Sequence, residues 1–149
     1  MKKNRLIIAF LCASMTVPSL FSLGNEIKLN KTTVDNKAIL NNSKNRGNLG
    51  ISIKAKKINV KKSILSNKTI LKDARNSGNS GIAIESKSIS VKKSAFINKS
   101  QIIRAENSGN IGIFVKGRKI KVKETVISNK TTLIGSKNSG NAGIEIGVD

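Results

Sequence analysis

The residues in this chain with the clearest capacity for chemistry are lysines that return at one fixed interval. Lys37, Lys68, Lys99 and Lys130 lie 31 positions apart, and Lys61, Lys92 and Lys123 form a second series with the same spacing. Rows of ammonium groups attract phosphates, carboxylates and sulfates through an interaction that salt weakens, so both series are candidate polyanion-binding residues. The bland reading of the same rows is a solvated basic face that controls solubility. Catalysis has no comparable case. The chain has no His, its one Cys is Cys12, and its 8 acids (Glu26, Asp35, Asp73, Glu85, Glu106, Glu124, Glu145, Asp149) form neither a repeated pair nor a metal-spaced cluster. Thr32, Ser63, Ser94 and Thr125 recur, but with no base near them to activate a nucleophile. We therefore expect no enzymatic activity, no catalytic residues, no cofactor, no metal and no small-molecule substrate.

What positions these lysines is a repeat. Asn45-Arg46-Gly47-Asn48-Leu49-Gly50-Ile51 returns as Asn76-Ser77-Gly78-Asn79-Ser80-Gly81-Ile82, then as Asn107-Ser108-Gly109-Asn110-Ile111-Gly112-Ile113 and Asn138-Ser139-Gly140-Asn141-Ala142-Gly143-Ile144, every 31 residues and without insertion. An ungapped period of this length belongs to stacked architectures. Ile51, Ile82, Ile113 and Ile144 are followed two residues on by Ile53, Ile84, Val115 and Ile146, while Ser52, Ala83, Phe114 and Glu145 vary between them. Two-residue alternation puts one set of side chains on one face of a strand. A second alternating pair follows at Ile27/Leu29, Ile58/Val60, Ile89/Val91 and Ile120/Val122, with apolar singles at Val34, Leu65, Phe96 and Ile127 and at Leu40, Leu71, Ile102 and Leu133. Each unit thus offers two or three short β-segments. Helices are excluded by the β-branched residues, by two Gly per unit and by the lack of three-and-four spacing. The expected fold is all-β, a parallel β-solenoid of about four coils with equal positions stacked as ladders about 4.8 Å apart.

In that stack Asn36, Asn67, Asn98 and Asn129 form an inward or corner ladder of mutually bonded amides. Asn45, Asn76, Asn107 and Asn138 form a second ladder, and Asn48, Asn79, Asn110 and Asn141 a third. Gly47, Gly78, Gly109 and Gly140 are expected to supply positive φ at a corner.

The pattern Gly-Asn-x-Gly-Ile-x-Ile, then Ile-x-Val, then Ser or Thr, an apolar residue and Asn, as in residues 78–98, resembles the repeats of secreted haemagglutinin-type adhesins. That resemblance implies a right-handed parallel β-helix exported to the cell surface. A weaker one, carried by residues 74–84, is to curli-like amyloid fibre subunits.

Residues 1–24 read as a signal peptide, with Lys2, Lys3 and Arg5 before the apolar run Leu6-Ile7-Ile8-Ala9-Phe10-Leu11 and a small-x-small site at Ser22-Leu23-Gly24. Residues 25–149 are the β-solenoid domain. Loss of Lys2, Lys3 and Arg5 leaves 25 of the 28 Lys and Arg against 8 acids, a net charge of +17, so the charge belongs to the repeats. The mature part has no Cys, Tyr or Trp, which removes disulfides and aromatic base-stacking platforms. From Ile27 to Asp149 run 123 residues, close to four laps of 31, with no cap recognisable at either end. Open edges of stacked strands are templates for another chain. The expected product is a secreted, extracellular or cell-surface subunit that a secretion apparatus exports and that stacks head to tail on itself into an amyloid-like fibre for adhesion or biofilm matrix. The alternative is a soluble cationic adhesin or polyanion-binding module for extracellular DNA, lipopolysaccharide or acidic glycans such as surface polysaccharide. A membrane-damaging cationic toxin is a third possibility, with no amphipathic helix to support it.

Overall fold

The computed structural model describes residues 5–11, 20–21 and 25–148, with side chains over 25–148. Much of the segment assigned as the leader, Cys12 included, lies outside the described residues, as does Asp149.

The chain opens with β1 (Arg5–Leu11), β2 (Leu20–Phe21) and β3 (Glu26–Asn30). A group of three strands then recurs four times: β4 (Thr33–Asn41), β5 (Lys44–Asn45) and β6 (Ile51–Lys61); β7 (Ile64–Lys72), β8 (Arg75–Asn76) and β9 (Ile82–Lys92); β10 (Ala95–Ile103), β11 (Glu106–Asn107) and β12 (Ile113–Lys123); and β13 (Val126–Ile134), β14 (Lys137–Asn138) and β15 (Ile144–Val148). Each strand pairs in parallel with its counterpart one lap away, which gives three sheets: β1-β4-β7-β10-β13, β5-β8-β11-β14, and β6-β9-β12-β15 with β2 and β3 on the free edge of β6. Ile51, Ile82, Ile113 and Ile144 stack rung over rung. The protein is a parallel β-solenoid of about four laps.

The alternating pairs Ile51/Ile53 and Ile58/Val60 share one strand of 11 residues instead of lying on separate short segments. Ile58 lies five positions after Ile53, an odd step that would send them to opposite faces of a regular strand. The ladder resolves this by leaving out one residue per lap, Lys56, Lys87 and Arg118, so that Ile53 and Ile58 both turn inward and are buried.

The interior divides in two. Val34, Leu65 and Phe96 meet Ile51, Ile53, Ile58, Val60 and their counterparts in one cluster, while Leu40, Leu71, Ile102, Leu49 and Ile111 form another. The Asn36 ladder, on the first sheet, is buried at Asn36, Asn67 and Asn98. Asn67 Nδ2 donates to Asn98 Oδ1 at 2.7 Å and to the Ser80 carbonyl at 2.8 Å, so one side chain both locks two rungs and pins the turn opposite. Asn36, Asn98 and Asn129 repeat this with the carbonyls of Leu49, Ile111 and Ala142.

Two corners per lap use the left-handed backbone region, and the residues there correct the sequence expectation. Lys31, Lys62, Lys93 and Glu124 have φ of 50–52°, and Asn42, Asp73, Arg104 and Gly135 have φ of 47–54°. Gly47, Gly78, Gly109 and Gly140 are not among the positive-φ residues. The hydroxyl one residue after each Lys corner holds the turn instead: Ser63 Oγ donates to Lys61 O at 2.9 Å and accepts from Thr32 N one rung away. The glycines serve close approach. A Cβ on Gly78 would meet Gly47 O at 1.8 Å, and one on Gly109 would meet Gly78 O at 2.0 Å.

At the amino-terminal end, β1 lies along β4, pairing Arg5 with Thr33 through Leu11 with Ile39, and β2 pairs with Ile53 and Lys54. The expectation of an unpaired layer at both ends is therefore corrected for the full chain, because backbone of Arg5–Leu11 and Leu20–Phe21, within the segment read above as a signal peptide, occupies the first edge. At the other end no strand lies above the rung from Val126 to Val148 among the described residues.

Candidate functional site

Register turns the lysine periodicity into geometry. Lys37, Lys68, Lys99 and Lys130 are direct neighbours along the outer face of the first sheet, all exposed. Lys61, Lys92 and Lys123 are neighbours on the long strands, and Asn30 precedes them in the same column. At the rung spacing, adjacent ammonium groups in water repel by about 0.9 kcal/mol before salt screening.

Elsewhere the fold relieves such repulsion by setting an acid one lap from a cation. Lys54 pairs with Glu85 at 2.9 Å, Arg75 with Glu106 at 3.0 Å, Lys57 with Glu26 at 3.1 Å, Lys93 with Glu124 at 3.4 Å, and Arg104 with Asp73 at 2.7 Å. The Arg104 guanidinium is bidentate, its second contact reaching Asp73 at 2.9 Å, and it holds the Asp73 carboxyl below the usual range, while Asp73 raises Arg104. Hydrogen bonds from Lys28 and then Lys57 lower Glu26. Sequence reading missed this arrangement because it sought acids that repeat with one another. The available signal was an acid 31 residues from a cation, as in Asp73 and Arg104.

The Lys37 and Lys61 columns receive no such relief among the described residues. The one acid on the outer face of the first sheet is Asp35, in the first rung. Beside the Lys37 column runs a shallow groove of about 300 Å³, with Lys68, Lys99 and Lys130 along one side and Ile70, Gln101 and Thr132 along the other.

The second candidate site is the end rung. Ile113 and Val115 are buried at 0% and 1% exposure, whereas the residues stacked on them, Ile144 and Ile146, are 49% and 46% exposed. Leu133 is 43% exposed above a fully buried Ile102.

The asparagine ladders give this end a polarity. In the Asn36 and Asn45 ladders each amide donates toward the carboxyl-terminal end, as in Asn98 to Asn129 and Asn107 to Asn138. In the Asn48 ladder the direction reverses, with Asn141 donating to Asn110 and Asn79 to Asn48. The last rung therefore offers donors at Asn129 and Asn138 and an acceptor at Asn141. The first offers acceptors at Asn36 and Asn45 and a donor at Asn48. The two ends are complementary.

Among the described residues no three His, Cys, Asp or Glu side chains gather as a metal-binding group. Thr32, Ser63, Ser94 and Thr125 sit one residue after the corners at Lys31, Lys62, Lys93 and Glu124, where each donates to the carbonyl two residues back. A comparison with family models, curated proteins and solved structures finds no match for this chain. What the fold defines is the class, a parallel β-solenoid repeat protein.

Proposed function

We propose that this chain is a secreted, non-catalytic structural protein of the haemagglutinin-like or curli-like kind, which stacks head to tail into an extracellular fibre serving adhesion or biofilm matrix. The observation that carries the reading is the last rung: Ile144, Ile146 and Leu133 stand half-exposed where their counterparts one lap below are buried. Apolar side chains in register on an open strand edge are a template for another coil. The complementary ends of the asparagine ladders favour the first rung of a second copy as that coil, since every ladder then continues without a change of direction. A heterologous contact of this type does not close and yields filaments.

The receiving rung is β3, β4 and β5 together with the start of β6. In the full chain β1 and β2 lie against that edge, so removal of residues 1–24 on export is what would free it. Electron microscopy of the processed protein collected after export tests the reading. Unbranched filaments are expected, and a monodisperse monomer at high concentration contradicts it.

A second reading, a soluble cationic module that binds polyanions, is favoured by a separate observation. Among the described residues the Lys37 and Lys61 columns run from rung to rung without an interleaved acid partner, unlike Lys54, Arg75, Lys93 and Arg104. Retention on an anionic column that falls with salt is its test. The two readings are compatible on one fibre.

A further inference from the structure

We propose that the groove beside Lys68, Lys99 and Lys130 binds an extended acidic polysaccharide lying parallel to the solenoid axis, with its carboxylates on the lysine column and its sugar rings against the opposite wall. This rests on the reading of the basic columns as polyanion-binding and names the ligand.

Three features point to it. The first is geometry, because the lysines occupy directly paired positions on adjacent rungs and so form one column with a repeat of about 4.8 Å. A polyuronate in extended form carries one carboxylate on each sugar along a single ribbon. A strand of duplex DNA instead presents a phosphate about every 3.4 Å of axis and winds away from any one column. The second is the chemistry of the far wall. Gln101 and Thr132 supply hydrogen-bonding groups suited to sugar hydroxyls, and Ile70 supplies an apolar surface suited to the C–H face of a ring. The third is the charge pattern. Five acids are placed one rung from a cation elsewhere, yet Asp35 is the one acid on this face among the described residues. The Lys61 column shares the third feature but lies on a different sheet, and Asn30 ends it in the first rung.

The test uses the full chain at fixed ionic strength, with three probes in a direct binding measurement: a homopolymeric polyuronate, its methyl-esterified form, and duplex DNA at equal charge concentration. We expect the polyuronate to bind at least about tenfold more tightly than the other two, and more weakly as salt rises. The triple variant Lys68→Gln/Lys99→Gln/Lys130→Gln should lose about tenfold or more. Lys61→Gln/Lys92→Gln/Lys123→Gln, which removes the same charge elsewhere, should lose much less. Gln101→Ala, which changes no charge, should also weaken binding. Unchanged far-UV circular dichroism verifies that the variants fold. Equal losses in the two triple variants, or DNA bound as tightly as polyuronate, overturn the assigned groove and leave a general polyanion face. No binding to any probe overturns the polyanion reading with it.

Discussion

Ile144 stacks in register on Ile113, yet Ile113 is fully buried and Ile144 is 49% exposed. The two side chains occupy the same place in successive laps and differ only in whether a further lap lies above. That difference separates what holds one molecule together from what joins two.

The variant Ile144→Asp/Ile146→Asp should therefore block filament growth while leaving the β-rich circular dichroism of the single chain intact. Ile82→Ala lies under a complete rung and should destabilise the fold itself by about 2–5 kcal/mol in denaturant titration. Loss of structure in the first variant, or normal filaments from it, would contradict the role given to the end rung.

Gly78→Ala should be strongly destabilising, by about 1–3 kcal/mol or more, because the added methyl group meets the Gly47 carbonyl and rigid backbone cannot retreat. Gly147→Ala has open space around it and should be close to neutral in the isolated chain. Thermal melts of the two variants provide the comparison.

How much of this was legible in the sequence depends on the kind of interaction. The register of Ile51 over Ile82 and the amide ladder through Asn67 could be read because an ungapped period fixes which residues superpose. The function of Gly78 could not, since a glycine in a turn-like string suggests positive φ, and only the closeness of the rungs reveals that Cβ is excluded by a neighbouring carbonyl. Lys62 and Asp73 were missed as left-handed corners for the converse reason. Non-glycine residues pay about 1–2 kcal/mol to enter that region, so sequence logic looks elsewhere, while inter-rung hydrogen bonds such as Lys62 N to Lys92 O hold the backbone there. The omission of Lys87 from the ladder and the groove beside Lys99 depend on strand curvature and packing, which composition does not encode.

Asn67→Ala should cost about 1–3 kcal/mol, since it removes buried bonds on three sides, to the amide of Asn36, the Oδ1 of Asn98 and the carbonyl of Ser80, of which the last keeps the Thr69 hydroxyl. Equilibrium unfolding in denaturant measures it. A cost below about 0.5 kcal/mol, typical of an exposed site, would show that the ladder is incidental.

Acid should weaken the stack. Asp73 and Glu26 have carboxyl pKa values lowered in the folded chain from their ordinary 3.8 and 4.5 by hydrogen bonds from Arg104 and from Lys28 and Lys57. A lowered folded pKa means that their contribution is present above the unfolded value and disappears as pH falls through the folded one. Melting temperature should thus decline below about pH 4, and less steeply in Asp73→Asn, which begins without that pair. Both carboxylates are reached by solvent, Glu26 exposed and Asp73 half-buried, so the slope should be shallow. A melting temperature that rises on acidification contradicts the assignment.

The most direct test is the mass per unit length of filaments formed by the processed protein, measured by dark-field electron microscopy. If each molecule contributes four laps to a continuous solenoid, one chain occupies about 19 Å of fibre. One chain per about 4.8 Å would mean that molecules lie flat as single rungs of an ordinary cross-β fibril, and would contradict both the lap-by-lap fold and the end-to-end joining of Ile144 to a second copy.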